Sequence, residues 1–237
     1  MAFPKLTPMG PMRIATFNIH HGEGMDHVVA LDRVARVIAD LAPNLLALQE
    51  VDQGSARSGD IDQVALLGEM LGMNVRFAPT ISDGSFGYGI ALAAHEDFEA
   101  HTVPLPRVAN EEPRVAIVAR WKGIGVVATH LSRSAEARRV QTEAVASLVG
   151  DISMPSVLLG DLNQSARHLE PILARGLISV PPKRPLLRSL RPTSHVDHIL
   201  VSEGIIVLRS FTVRTNVSDH DVLVADIRLA SDPEASA

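Results

Sequence analysis

The first seventy residues already restrict the fold, because apolar runs of strand length alternate there with helical stripes. Met12 to Ile19 reads as a strand, with Asn18 near its C-terminal end. The glycines of His20-His21-Gly22-Glu23-Gly24 mark a loop. Leu31, Val34, Ala35, Ile38 and Leu41 then recur at helical spacing, and Pro43-Asn44 closes that helix. Leu45 to Leu48 is a second short strand, ending in Gln49-Glu50. A second helix is expected over Asp62 to Leu71, with Val64, Leu67 and Leu71 on one face. Strand, helix, strand, helix is the pattern of an α/β fold.

The middle of the chain loses its helices. Asn74–Ala78, Gly87–Ala94, Phe98–Val103, Arg114–Trp121 and Gly125–Thr129 are strand-like runs, and Trp121-Lys122-Gly123 reads as a hairpin turn. A helix follows over Ala135 to Val149, with Ser134 as its cap and Ala137, Val140, Ala144 and Leu148 as its expected buried stripe. Val157 to Leu159 is the next strand, and Gly160 is expected to turn the backbone after it. A short helix near Ala166–Leu173 and a proline-rich loop over 181–193, with four cations and no acid, come next. Val196–Val201, Ile205–Arg214 and Val222–Leu229 are the final strands. The order suggests two halves of similar layout packed sheet to sheet. One domain over 12–230 is expected, with irregular termini at 1–11 and 231–237.

Composition excludes several classes. With 237 residues and 46% hydrophobic content, the chain suffices for one domain with a substantial core. No run of eighteen apolar residues is present to span a bilayer. The start lacks the charged-then-apolar layout of a secretory signal, which makes the cytoplasm the expected location. Without cysteine there is no thiolate metal site, so any metal must be held by histidine and oxygen donors. A net charge of -5 argues against a general binder of duplex nucleic acid. It leaves open an enzyme that acts on nucleic acid through a metal and a few local cations.

The ends of the strands carry the chemistry. Asn18, Glu50, His130, Asp161 with Asn163, Asp197-His198 and Ser218-Asp219-His220 each lie where an apolar run stops or starts. Oxygen ligands from several strand ends are what Mg²⁺ or Mn²⁺ requires. Asp161 and Asn163 are two residues apart, so an extended backbone sends both side chains off one face. A carboxylate beside a carboxamide orients a water and takes its proton.

Thr16-Phe17-Asn18-Ile19, Leu48-Gln49-Glu50-Val51-Asp52, Gly87-Tyr88-Gly89, Thr129-His130-Leu131, Gly160-Asp161-Leu162-Asn163, Val196-Asp197-His198-Ile199 and Ser218-Asp219-His220 occur in that order. The ordered set resembles the endonuclease/exonuclease/phosphatase superfamily, from about Met12 to Leu229. The resemblance implies a four-layer α/β/β/α sandwich of two mixed sheets, with the active site at one rim. It makes Glu50 the principal Mg²⁺ (or Mn²⁺) ligand, with Asn18 and Asp219 beside the metal. It has Asp161 position and deprotonate the attacking water, and Asn163 hold that water or a phosphate oxygen. His220 contacts the scissile phosphate, Asp197 fixes the His220 ring, and His130 steadies the phosphate or serves the leaving group.

The chain departs from the family in places. Ile90 stands where members often carry an asparagine, and the stretch before Asp197 is compressed. The His20-His21 pair is unusual and is expected to be a solvated loop pair. Arg57 is a candidate phosphate clamp or, equally, a cation bridging loops. Arg114 is expected to pair with Glu111 or Glu112, and the basic loop to lend positive potential near Asp197. The expectation is a metal-dependent phosphoesterase acting by direct attack of water. A nuclease is the first guess, and a phosphatase or phosphodiesterase of a small metabolite or lipid headgroup the alternative. A non-catalytic scaffold on the same fold is the rival from another class.

Overall fold

The computed structural model describes residues 10–181 and 196–230. Residues 1–9 and 231–237 of the expected termini, and all of the basic loop after Pro181, lie outside the described residues. In chain order the elements are β1 (Met12–Asn18), α1 (Leu31–Leu41), β2 (Leu45–Gln53), α2 (Gln63–Leu71), β3 (Asn74–Ser82), β4 (Gly87–Ala94), β5 (Glu99–Pro104) and β6 (Val115–Trp121). There follow β7 (Ile124–His130), α3 (Ala135–Gly150), β8 (Ser156–Asp161), α4 (Glu170–Leu173), β9 (Ile178–Ser179), β10 (Asp197–Val201), β11 (Ile205–Val213) and β12 (Val222–Leu229).

The strands form two six-stranded mixed sheets, ordered β11-β12-β1-β2-β4-β3 and β5-β6-β7-β8-β10-β9. Each is built about one parallel pair, β1 with β2 and β7 with β8, and every other pairing is antiparallel. A parallel pair needs a crossover, and α1 and α3 supply the two. The expected repetition of layout is therefore present in space.

Alternation along each strand explains the layering, because successive side chains point to opposite faces. Ile14, Leu45, Ala47 and Leu92 of the first sheet meet Val126, Leu159 and Ile199 of the second in a core between the sheets. The intervening Ala15, Phe17, Leu46 and Leu48 pack instead on Leu31, Val34, Ile38 and Leu67 of α1 and α2. On the far side Val127, Leu158 and Leu200 pack on Val145, Val149 and Ile172 of α3 and α4. Helix, sheet, sheet, helix is the four-layer order that the motif resemblance implies. Among the described residues, no helix is long and apolar enough to cross a membrane.

Several local expectations need correction. The strand starting at Leu45 runs on to Gln53 past a bulge, and β3 runs on to Ser82. Gly160 lies within β8, paired with Thr129 on one side and His198 on the other, so it makes no turn. The backbone is not extended through Asn163, whose φ is 50°. Of the stripe expected on α3 only Ala137 is fully buried, and Gln141, Thr142, Val145, Ala146 and Val149 fill the inner face. The short helix near Ala166 divides into a 3-10 turn, Ala166–His168, and α4. Ile90 is 2% exposed in the core between the sheets, so that position offers no polar group to a ligand.

Candidate active site at the sandwich rim

The alternation that builds the core also places the site. Asn18 continues the inner face of Ile14, His130 that of Val126 and Ala128, and Asp161 that of Val157 and Leu159. Asp197 opens β10 on the inner face shared by Ile199 and Val201. Where the apolar core runs out, the next inward positions are polar. Register aligns them, since Asp161 pairs with His130 across the parallel ladder and with Asp197 across the antiparallel one.

Asn18 joins the two sheets. Its Nδ2 donates to Glu50 Oε1 at 2.9 Å and to Asp161 Oδ2 at 3.2 Å, while its Oδ1 accepts the His20 N–H at 3.1 Å. Ser218 Oγ donates to the Asn18 carbonyl at 2.8 Å and accepts the His220 N–H at 3.1 Å. The loop before β12 is thus tied to the end of β1. His220 Nδ1 lies 2.8 Å from Asp197 Oδ2, and its Nε2 lies 3.7 Å from Asp161 Oδ2. His130 Nε2 lies 3.5 Å from the same oxygen. Asn163, turned back by its left-handed backbone, gives its N–H to Asp161 Oδ1 at 2.8 Å and its Nδ2 to the Leu131 carbonyl at 2.9 Å. The Asn163 amide then rests 3.1 Å from His130 Nε2.

Charges follow from this geometry. Burial, reinforced by the charge of Asp197, pushes the Asp161 carboxyl up to about 7. Burial by itself lowers the His220 pKa, but the hydrogen bond from Asp197 and the charges of Asp197, Asp161 and Asp219 outweigh it and raise His220 to about 9. His130 is held neutral, first by burial and then by the Arg114 cation. Arg114 Nη1 lies 3.1 Å from His130 Nδ1 and Asn163 Nδ2 3.1 Å from its Nε2, so donor groups face both ring nitrogens, in keeping with a neutral imidazole. Arg114 also pairs with Glu112 at 3.1 Å, as expected of it. Its second partner, His130, was not legible in the sequence.

A measurable consequence concerns His220. With its folded pKa raised, its stabilising contribution is full below the ordinary value of about 6.5 and is lost as pH rises through about 9. In the metal-free protein the His220 imidazole is expected to titrate near 9 by NMR, and Asp197→Asn to move it back toward about 6.5. A wild-type titration at or below 6.5 would contradict the ion pair.

Glu50 reaches the rim because the ladder between β2 and β4 shifts between Gln49 and Val51. Glu50 takes φ 59° at that bulge, which re-aims its side chain. Next to it, Arg57 Nε and Nη2 grip the buried Asp52 at 2.8 and 2.7 Å, and its guanidinium lies 4.9 Å over the Tyr88 ring. One forked edge of the guanidinium is therefore taken by Asp52, so Arg57 bridges its own loop. Asp219 is exposed, with Ser218 Oγ 3.4 Å from its Oδ1. His21 corrects another expectation, since it is 8% exposed rather than solvated. Sequence reasoning also missed Ser218 and Gln49 as supports, although Gln49 holds Thr16 across β1 and β2 at 3.1 Å. A polar residue in the middle of an apolar run was the available signal.

The sequence profile of the Endonuclease/Exonuclease/phosphatase family matches residues 15–220. The chain belongs to that family. Solved structures with the same fold include an endonuclease/exonuclease/phosphatase from Beutenbergia cavernae, 24% identical over 95% of this chain and 73% of that one, with a TM-score of 0.75. Another from Bacteroides vulgatus is 20% identical over 93% of this chain and 100% of that one, with a TM-score of 0.75. The mannosyl-6-phosphatase of Bacteroides thetaiotaomicron is 17% identical over 91% and 99% of the two chains, with a TM-score of 0.71. A comparison with curated protein sequences found no match.

Enzymes of this family typically depend on a divalent metal. The donors here fit one. Asp161, Asp197 and His220 place ligand atoms within 4.8 Å of one another, as do His20, His21 and Glu50. Asp197 Oδ1 is buried without a hydrogen-bond partner, and Asp161 is a carboxylate penalised by its own burial. A cation beside them would relieve both.

Proposed function

We propose that the chain is a divalent-metal-dependent phosphoesterase that hydrolyses P–O ester bonds by direct attack of water. The observation that carries the reading is the convergence of Asn18, Glu50, His130, Asp161, Asn163, Asp197 and His220 on one rim, with Asn18 bridging the Glu50 and Asp161 carboxylates. Glu50 is the principal metal ligand, with Asn18 and Asp219 beside the metal. A bound cation would supply positive charge to offset that of the phosphate ester.

The chain's own groups do the rest. Asp161, the best-buried carboxylate of the cluster, accepts a proton from water, which its raised pKa favours near neutral pH. Asn163, locked by Leu131 and Asp161, holds that water or a phosphate oxygen through its amide. His220, kept cationic by Asp197, presents Nε2 to a phosphate oxygen. His130, kept neutral by burial and the Arg114 cation, steadies the phosphate or serves the departing oxygen.

A small phosphorylated molecule fits the rim better than single-stranded nucleic acid. Stacking on bases needs exposed aromatic faces. Among the described residues the exposed large hydrophobics include no aromatic, Trp121 is 1% exposed, and Tyr88 lies beneath Arg57. The related mannosyl-6-phosphatase acts on a phosphosugar, in keeping with this choice. A soluble cytoplasmic enzyme is the setting proposed.

Hydrolysis of bis-p-nitrophenyl phosphate with Mg²⁺ or Mn²⁺ tests the reading. Turnover should vanish on chelation, return on adding the metal, and fall by about 100-fold or more in Glu50→Ala. Binding without turnover under any divalent metal would instead support a scaffold. A panel of phosphosugars, phospholipids, RNA and single-stranded and duplex DNA then ranks the substrates.

A further inference from the structure

Three residues with left-handed backbone meet beside the rim. His20, His21 and Glu50 have φ of 47°, 42° and 59°. Residues with a Cβ avoid this region, and runs of it persist where the surroundings or a ligand over-determine them. Each of the three offers one ligand atom, and the three atoms lie within 4.8 Å of one another.

The chemistry of His21 points to what would be held there. The residue is 8% exposed, and its Nδ1 is buried without a hydrogen-bond partner. Its other nitrogen, Nε2, faces Glu23 Oε2 at 3.3 Å, and Glu23 Oε1 is fixed in turn by His27 Nδ1 at 2.9 Å. Gln63 Nε2 anchors the His21 carbonyl at 2.7 Å. A proton on Nε2, given to Glu23, leaves Nδ1 bare. A ligating histidine has this arrangement, one nitrogen for the metal and the other oriented by a carboxylate behind it. The ring of His20 meets that of His21 edge-on, with centroids 4.6 Å apart, so the two imidazoles do not stack face to face. Mg²⁺ seeks oxygen donors only, whereas two imidazoles and a carboxylate suit a transition dication.

We propose that His20, His21 and Glu50 form a mixed nitrogen–oxygen site for a transition dication of the Mn²⁺, Co²⁺ or Zn²⁺ type, so that the metal on Glu50 is nitrogen-ligated. This rests on Glu50 being a metal ligand, as in the proposed function, and it specifies which cation Glu50 selects. Asn18 then holds Glu50 toward Asp161, which puts this cation next to the proposed base.

The test is spectroscopic. Chelator-stripped protein loaded with Mn²⁺ should show nitrogen hyperfine coupling by pulsed EPR, and the coupling should survive His220→Gln. It should disappear in a His20→Gln/His21→Gln variant, whose Kd for Mn²⁺ should rise by about tenfold or more while that for Mg²⁺ stays put. Bound Mn²⁺ without nitrogen coupling in the wild type overturns the site, as does coupling unchanged in the double variant. The wild-type and His220→Gln spectra decide the matter even if the double variant fails to fold. Hydrolysis supported by Mg²⁺ with no nitrogen coupling defeats this site and leaves the phosphoesterase reading standing. Coupling without hydrolysis of any phosphate ester does the reverse.

Discussion

Asp161→Asn is expected to abolish hydrolysis and, in the metal-free protein, to raise the melting temperature. The first effect follows from removing the carboxylate proposed to take a proton from water beside Asn163 and His220, and a loss of about a thousandfold or more is expected. The second follows from the cost of holding a buried carboxylate next to Asp197. Since that carboxyl is raised in the folded state, stability falls as pH climbs from its ordinary value through about 7. Asparagine keeps the shape and the bond from Asn18, loses one acceptor oxygen, and escapes the penalty. A net gain of about 1–2 kcal/mol at pH 8 corresponds to a rise of roughly 2–8 °C. The gain should shrink toward pH 4, where the wild-type carboxyl is neutral as well. Equal melting temperatures at pH 8, or a variant that still turns over, would refute this account of the site.

Gly160→Ala should cost the fold itself. A Cβ built there falls 1.9 Å from the Thr129 carbonyl oxygen and 3.0 Å from its carbon. Both atoms belong to backbone that is held in register on either side, so neither β7 nor β8 can recede. The φ of 152° at Gly160 adds to the difficulty. A destabilisation above ~4 kcal/mol is expected, with soluble yield sharply reduced or the melting temperature lowered by about 10 °C. Thermal denaturation of the purified variant checks this, and near-wild-type melting would mean the strands are less tightly coupled than they look.

That glycine also illustrates what was legible in advance. Its presence before Asp161 reads as a turn, whereas glycine is required there by a carbonyl on a strand 31 residues earlier. Local pattern gave the elements well, since α1, with Leu31, Val34, Ile38 and Leu41 turned inward, needs only its own spacing. It failed where tertiary partners decide. The inner face of α3 holds Gln141 and Thr142 because Gln141 Oε1 accepts the Ser132 N–H at 2.9 Å and Thr142 Oγ1 accepts Gln164 Nε2 at 2.8 Å. Hydrophobicity could not reveal positions chosen for polar partners. The bulge at Glu50 was invisible because register is a property of two strands. His21 was read as solvated because nothing in a His-His pair announces the two left-handed residues that turn the ring inward. The convergence of Asn18, His130, Asp161 and Asp197, by contrast, follows from period-two alternation once the strands are paired.

The last strand, β12, lies between β11 and β1, so the first and last strands are neighbours within one sheet. The tie from Ser218 to Asn18 spans 200 residues, and that from Asn18 to Asp161 spans 143. During synthesis the loop bearing Ser218 and His220 can therefore join Asn18 only after residues up to 220 have been made. A product truncated before Ser218 would lack both the tie to Asn18 and the proposed role of His220.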